Sequence, residues 1–324
     1  MNALVKEIAI TDMQNVSLGH AQDDAAKTGV SVIYFPAGAQ VGCDISGGGP
    51  ASRETPLTLP LTADNPINAV VLSGGSAFGL AAADGVMQHL EAQGIGYNTG
   101  YALVPLVCQS CIFDLGYGSN KVRPDAAMGA AACAKAMAGC DARMGNIGAG
   151  TGASVGKLMG MKQATKTGLG IHAIQLGELQ IAAIVVLNAF GDIFDPATGE
   201  KIAGMLDAER KNFIDIEQAF CAFMSAPKDM FNGNTTIGCI VTNAKFDKTK
   251  LNKIASMTRN AYARCINPVG TMADGDSIYA ASCGDVVSDV NLVGTLAAKA
   301  MQQAIIKAVT SAKIDDAEYL AHCL

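Results

Sequence analysis

Residues 233–241 read GNTTIGCIV, a small polar turn that runs directly into an apolar stretch. Glycine and asparagine are typical of turns, and the apolar residues from Ile237 onward predict a buried strand. Thr235 therefore lies where a loop leads into the protein interior. A cut before Thr235 would make its hydroxyl and its new α-amino group neighbours, and an α-amino group with a pKa of about 7.7 to 8.0 can accept the hydroxyl proton near neutral pH. The stretch therefore has the form that a self-cleaving enzyme needs, with Thr235 as the candidate nucleophile.

Composition indicates a globular chain with a large core. Half of the 324 residues are hydrophobic, 16% are charged and 36 are glycine, which favours close backbone packing over disorder. A net charge of −6 without a basic cluster argues against a nucleic-acid partner. No long polar linker divides the sequence, so we expect a single domain over residues 1–324.

The sequence gives no sign of a membrane or of an oxidising compartment. No apolar run approaches the ~18 residues needed to span a bilayer, and no basic segment with an apolar stretch follows Met1, so we expect a cytoplasmic protein without a membrane partner. The ten cysteines are scattered through apolar runs, as expected of reduced core residues. Cys108 and Cys111 have CxxC spacing, but no second pair or histidine cluster completes a metal site, and we expect both to be structural.

Strand-like and helix-like segments alternate along the chain. The predicted strands are 30–35, 39–45, 69–72, 104–115, 169–176, 181–190, 235–242 and 277–282, and the predicted helices are 77–93, 124–137, 207–224, 248–264 and 292–312. Gly177-Glu178 predicts a hairpin between two of these strands. Sheets built partly from hairpins and covered by amphipathic helices predict an α/β fold, a layered α/β/β/α sandwich.

Two glycine-rich motifs fit known patterns only in part. The segment GAGTGA at 148–153 fits the GxGxxA dinucleotide pattern, but no strand precedes it. It is either a nucleotide-binding loop or a tight loop that lets a substrate or a neighbouring subunit approach the backbone, and we predict no cofactor. The segment GGSAFG at 74–79 lacks the second glycine of a GxSxG nucleophile elbow.

Four further residues are candidate helpers of Thr235. Asp274 and Asp276 flank a glycine and point the same way in an extended segment, so they either hold the Thr235 ammonium or hydroxyl or form a surface Asx turn. Asn188 ends an apolar run, where its amide could donate to an oxyanion. Lys166 either supplies a positive charge that keeps the acid pair ionised or is a surface lysine.

Eight short blocks, spread over most of the chain, fit one family. They are SGGGP at 46–50, RET at 53–55, LSGGSAFGL at 72–80, ADGV at 83–86, GAGTGA at 148–153, NAFGD at 188–192, NTTIG at 234–238 and DGD at 274–276. Together they resemble the DmpA-type aminopeptidases, which are N-terminal-nucleophile hydrolases. Relatives in that family include β-peptidyl aminopeptidases and nylon-oligomer hydrolases.

The resemblance implies a sandwich fold of the DmpA and ornithine-acetyltransferase type and a precursor that cuts itself. The products would be residues 1–234 and 235–324, which stay together as one folded unit. The substrate would be a short peptide or small amide, no metal or cofactor would be needed, and the molecule would be a homo-oligomer, a tetramer.

The resemblance also implies roles for individual residues. Asn188 would polarise the substrate carbonyl or hold the oxyanion, and Lys166, Asp274 and Asp276 would support the nucleophile, as in the nylon-hydrolase branch. Tyr117 would match a tyrosine near the family's site.

The chain departs from the family's usual residues at three places, which leaves the substrate open. These are Ser46, the segment 268–271 and Thr167. Two alternatives to a hydrolase also remain: an acyltransferase of the ornithine-acetyltransferase type, and a ligand-binding relative that never cuts itself.

Overall fold

Two stacked sheets form the centre of the molecule. The computed structural model describes residues 4–223 and 233–324. The strands are β1 Val5–Ile8, β2 Ser17–Asp23, β3 Thr28–Ile45, β4 Ala51–Arg53, β5 Ile67–Ser73, β6 Tyr97–Asn98, β7 Leu103–Val104, β8 Val107–Cys111, β9 Ser154–Val155, β10 Thr165–Lys166, β11 Leu169–Leu176, β12 Leu179–Val186, β13 Asp192–Phe194, β14 Lys201–Ala203, β15 Ile237–Ala244, β16 Ile266–Asn267 and β17 Ser277–Val286. The helices are α1 Ala82–Ala92, α2 Ala126–Ala138, α3 Ile216–Phe223, α4 Lys248–Cys265, α5 Val290–Thr310 and α6 Asp316–Ala321.

Strand β3 belongs to both sheets. Its first half pairs with β2 and β5, and its second half pairs with β17. The pairing with β5 is irregular between Tyr34 and Ala39, where Gly38 has a φ of 74° that favours glycine. The strand order is therefore β1-β11-β12-β15-β17-β3-β5-β8-β4, with β2 attached to β3.

Side chains alternate between the faces of each sheet and produce four layers. In β12, Ile184 packs in the core between the sheets and Val185 packs on the side of α4 and α5. In β5, Val70 packs between the sheets and Val71 packs on the side of α1 and α2. The predicted α/β/β/α sandwich is confirmed.

The local predictions hold best where the pattern is strongly periodic. The hairpin at Gly177 is confirmed, since Leu176 pairs with Leu179 across it. The predicted helix 207–224 is wrong over its first half, because helix α3 begins only at Ile216. The Asp207 carboxylate accepts the backbone N–H of Lys211, and Arg210 has a φ of 55°, so the chain makes a turn there. We also predict a loop over residues 225–234; its part 225–232 and the last residue of the predicted helix lie outside the described residues.

The sheet order brings the candidate residues to one place. Strands β15 and β17 are parallel neighbours, so the segments that precede them meet at the same end of the sheet. Asn234, before β15, lies beside Asp274, before β17. Strand β12 pairs with β15 on its other side and ends just before Asn188. No helix in the described part of the chain is long and apolar enough to cross a membrane.

Candidate active site

The side chain of Thr235 is buried beside the peptide bond that precedes it. Its hydroxyl donates to the carbonyl oxygen of Asn234, and its backbone N–H donates to the carbonyl oxygen of Asn188 at 2.9 Å. The same Asn234 carbonyl accepts the backbone N–H of Gly275 at 2.9 Å. A Cβ at position 275 would lie 2.7 Å from the Thr235 hydroxyl oxygen, so glycine is needed for this approach. A hydroxyl and a polarised carbonyl therefore meet at the Asn234–Thr235 bond.

Both carboxylates of the acid pair are buried and bonded to backbone N–H groups around Thr235. Asp276 accepts from the backbone of Thr236 at 2.7 Å and of Gly270 at 3.1 Å. Asp274 accepts from the backbone of Phe190 at 3.3 Å, and from the backbone and hydroxyl of Thr271 at 3.0 and 2.7 Å. These bonds exclude the surface Asx turn and fix the pair beside the threonine.

Burial and mutual repulsion act on the acid pair. Burial, reinforced by the neighbouring Asp274 carboxylate, raises the pKa of Asp276 to about 7, although the two backbone N–H groups oppose the shift. Asp276 therefore titrates near neutral pH.

Gly47 and Gly49 bond to the backbone of the acid pair. The Gly49 N–H donates to the Asp274 carbonyl at 2.9 Å, and the Gly47 N–H donates to the Asp276 carbonyl at 3.2 Å. A Cβ on Gly47 would lie 2.3 Å from the Asp276 nitrogen. This close approach explains why glycine is found there.

Asn188 links Thr235 to a buried lysine that the sequence reasoning missed. Lys157 donates from Nζ to the Asn188 side-chain oxygen at 2.8 Å and to its carbonyl oxygen at 3.1 Å, the same oxygen that accepts the Thr235 N–H. The Asn188 Nδ2 donates to the Phe113 carbonyl at 2.9 Å. One hydrogen of this amide is therefore engaged, and its other hydrogen is the one left to polarise a carbonyl.

Lys157 has the charge environment that the sequence reasoning assigned to Lys166. Burial lowers the pKa of Lys157 to about 7, against the attraction of Asp274, Asp114 and Asp276. The sequence contains one indication that Lys157 is buried. Lys157 is the only charged residue in the stretch 145–161, so its uncharged surroundings predict burial.

Lys166 and Tyr117 lie together, and the structure does not bring them to the threonine. Lys166 is buried, but its Nζ donates to the carbonyls of Gly150 and Thr167 and lies 5.8 Å from the centre of the Tyr117 ring. The Tyr117 ring stacks on Tyr319, with centroids 5.2 Å apart. The predicted partnership of Lys166 with the acid pair is corrected, because Lys157 occupies that place.

A second missed residue, Asp114, lies on the other side of Lys157. Its carboxylate is buried and accepts the backbone N–H of Gly75 and the hydroxyl of Thr28, both at 2.7 Å. Burial raises the pKa of Asp114, and these two bonds and Lys157 oppose the shift. The side chain thereby ties the 74–79 glycine motif to the site.

Two small cavities flank the Asn234–Thr235 bond. The larger, of about 140 Å³, is lined by Phe113, Asp114, Gly116, Ser154, Lys157, Gly160, Met161, Gly233 and Asn234. The smaller, of about 30 Å³, is lined by Gly49, Ala51, Ser76, Cys111, Phe113, Gly233, Asn234, Thr235 and Ala273. Phe113, Gly233 and Asn234 belong to both, so these residues separate the two spaces. Within residues 4–223 and 233–324, no cluster of histidine, cysteine and acidic side chains is arranged to hold a metal ion.

Solved structures define the class to which this fold belongs. The β-aminopeptidase of a Burkholderia species superposes with a TM-score of 0.70 at 18% identity, covering 99% of this chain and 94% of its own. The L-aminopeptidase D-Ala-esterase/amidase of Ochrobactrum anthropi, described as a variant of the Ntn hydrolase fold, gives a TM-score of 0.70 at 16% identity, covering 96% and 92%. The sandwich is that of the DmpA-type aminopeptidases.

Sequence comparison gives the family. The model of peptidase family S58 matches residues 9–317. An uncharacterized aminopeptidase from Mycobacterium tuberculosis is 36% identical over 319 residues, which cover 95% of this chain and 90% of the relative. A 6-aminohexanoate-oligomer endohydrolase from an Agromyces species is 33% identical over 321 residues, covering 94% and 86%. The chain belongs to peptidase family S58 and is a peptidase or amidohydrolase.

Proposed function

We propose that the chain cuts itself between Asn234 and Thr235, and that the freed Thr235 then hydrolyses amide bonds in short peptides or small amides. The observation that carries the proposal is the contact of the Thr235 hydroxyl with the Asn234 carbonyl, which the Gly275 N–H already polarises. The products are residues 1–234 and 235–324.

Self-cleavage begins with attack of the Thr235 oxygen on the Asn234 carbonyl carbon. The carbon–oxygen bond forms as the carbon–nitrogen bond breaks, the hydroxyl proton ends on the Thr235 nitrogen, and an ester of Thr235 results. The Gly275 N–H stabilises the oxyanion, since it already bonds to that oxygen. Water then hydrolyses the ester and releases the Asn234 carboxylate.

The base of this first step is a side chain, because the Thr235 nitrogen is still an amide and has no basic lone pair. Lys157 fits this role, since burial lowers its pKa to about 7 and it shares the Asn188 carbonyl with the Thr235 N–H. Near neutral pH a substantial fraction of Lys157 is neutral and able to accept a proton.

After the cut, the Thr235 nitrogen is an amine and acts as the base for external substrates. Its bond to the Asn188 carbonyl orients the amine next to its own hydroxyl, and Asp274 and Asp276 provide negative charge nearby. The threonine takes the acyl group of the substrate, the amine half leaves with the proton, and water frees the acid. The relatives named as an aminopeptidase and as an oligomer endohydrolase support amide substrates.

The test replaces Thr235 with valine, which removes the hydroxyl and keeps the shape of the side chain. Purified wild type should give two bands on denaturing electrophoresis, whereas Thr235→Val should remain one full-length chain and lose amide hydrolysis by more than roughly a thousandfold. Thr235→Ser keeps a hydroxyl and should still be cut.

Thr236→Val is the matched control, because the neighbouring hydroxyl has no hydrogen-bond partner within the described ranges. This variant should be cut like wild type. A wild-type preparation that hydrolyses amides while remaining one uncut chain would show the proposal to be wrong.

A further inference from the structure

We infer that the face of the Phe113 ring binds the acyl half of the substrate and admits only an acyl group that is unbranched where Gly233 lies in the uncut chain. Phe113 is then a specificity-determining residue. The inference rests on the proposed self-cleavage, because we take the position of residues 233–234 in the uncut chain as the position of the acyl half of a bound substrate.

The chemical equivalence of two esters justifies this use of the uncut chain. Self-cleavage joins the Asn234 carbonyl to the Thr235 oxygen, and an external amide joins its own acyl group to the same oxygen. In both esters the acyl carbonyl reaches the same nucleophile and the same Gly275 N–H. Gly233 and Asn234 therefore lie where the acyl half of a substrate lies.

Gly233 lies directly against the Phe113 ring. A Cβ built on Gly233 would be 2.1, 2.3 and 2.5 Å from the ring atoms Cγ, Cδ2 and Cδ1, which is far inside van der Waals contact. The ring therefore leaves no room for a side chain there.

The backbone at and after Phe113 is anchored by hydrogen bonds. Its carbonyl accepts the Asn188 amide at 2.9 Å, and the next residue, Asp114, is fixed by bonds from Gly75 and Thr28. Withdrawal of the ring from a branched group would therefore have to come from rotation of the Phe113 side chain.

The larger cavity shows where a longer acyl group continues. Besides Phe113, Gly233 and Asn234, its lining consists of small or apolar residues, Gly116, Gly160 and Met161, and of polar residues, Asp114, Ser154 and Lys157. The preferred substrate is accordingly an amide with a narrow acyl half, such as a glycyl residue one place before the residue that is cut.

The first experiment follows self-cleavage in a double-mutant cycle. Gly233→Ala should slow the appearance of fragments by about fivefold or more, because overpacking of this kind costs at least that factor. Phe113→Ala in the same chain should restore much of the rate. Gly139→Ala is the control, since Gly139 has extended backbone and nothing within 4 Å of an added Cβ. Rescue by Phe113→Ala would show that the slow cleavage of Gly233→Ala comes from contact with this ring, and a defect from any other cause would remain.

The second experiment uses the cut wild-type protein and two substrates, Gly-Asn p-nitroanilide and Ala-Asn p-nitroanilide. The structure predicts at least about a tenfold higher kcat/KM for the glycyl compound, and a smaller ratio in Phe113→Leu. This measurement stands even where Phe113→Ala does not fold.

The possible outcomes distinguish a failure of the inference about Phe113 from a failure of the proposed function. A wild type that is cut and active, but treats both anilides alike and cuts Gly233→Ala at the normal rate, overturns the role of Phe113 and leaves the proposed function intact. A wild-type chain that is never cut and hydrolyses no amide refutes the proposed function, and the inference falls with it.

Discussion

Two buried lysines, Lys157 and Lys166, differ in what they touch. Lys157 bonds to Asn188 and feels the charges of the acid pair, whereas Lys166 bonds to backbone carbonyls beside Tyr117. We therefore expect Lys157→Met to remain uncut over hours, with at least a roughly hundredfold slower cleavage, because the base is lost. Lys166→Met should be cut at nearly the wild-type rate. Electrophoresis of timed samples distinguishes them, and the opposite ranking would return the role to Lys166.

Lys166→Met has a second readout, the pH dependence of stability. Burial lowers the pKa of Lys166 to about 7, while the unfolded chain keeps a value near 10.5. Between these values only the unfolded chain holds the proton, so the free energy of unfolding rises with pH in this window. In an uncut Thr235→Val background, urea unfolding at pH 7 and pH 9.5 should show a smaller rise for the Met variant than for the parent. Equal rises would mean that Lys166 is not desolvated as described.

Some site residues are predictable because their neighbours in sequence reveal them. Asn188 stands out at the end of an apolar run, and the Asp-Gly-Asp spacing indicates a pair that points one way. Lys157 and Phe113 are not predictable in this manner, since their partners are 31 and 120 residues away and are set by strand order. Sequence spacing gives no information on such contacts.

At the scale of elements, close packing between strand and helix depends on glycines in the sheet. A Cβ on Gly170 in β11 would lie 2.0 Å from the Ala304 carbonyl of α5, with no flexible side chain to move aside. Gly170→Ala should therefore lower the free energy of unfolding by about 1 to 3 kcal/mol or more, because the helix must shift. Denaturant unfolding measures it, with the open position Gly139→Ala as the control. An unchanged midpoint would show that α5 moves freely on the sheet.

Strands and helices with a strong hydrophobic periodicity are predictable from the sequence, whereas segments in which side chains bond to the local backbone are not. The hairpin β11–β12 and helix α4 lie close to the predicted bounds because alternation or helical spacing continues through them. The stretch 207–212 before α3 is rich in helix-forming residues such as alanine, glutamate, arginine and lysine, yet the Asp207 carboxylate bonds to the backbone and holds a turn. A hydrogen bond of this kind, from the backbone to a side chain, leaves little trace in the hydrophobic periodicity of the sequence.

At the scale of the molecule, the two proposed fragments would share one sheet. Strand β15 pairs with β12 and strand β17 pairs with β3, so these two strands of residues 235–324 lie between strands of residues 1–234. The cut protein should elute as one species in native buffer and separate only on unfolding, because separation would expose a large apolar core and unpaired strand edges. Size-exclusion chromatography followed by denaturing electrophoresis tests this. Release of the 235–324 fragment without denaturant would contradict it.

Three segments that are far apart in the chain meet at the Asn234–Thr235 bond: the stretch before β15 that contains it, Asn188 near the end of β12, and Gly275 in the turn before β17. A molecule that has not completed its sheet has no Gly275 N–H at the Asn234 carbonyl and no Asn188 carbonyl at Thr235. The proposed cut is then a permanent record that an individual molecule has once reached its native arrangement. In a sample taken during refolding, the fraction of cut chains on denaturing electrophoresis would therefore give the fraction of molecules that have reached the native state, without a spectroscopic probe.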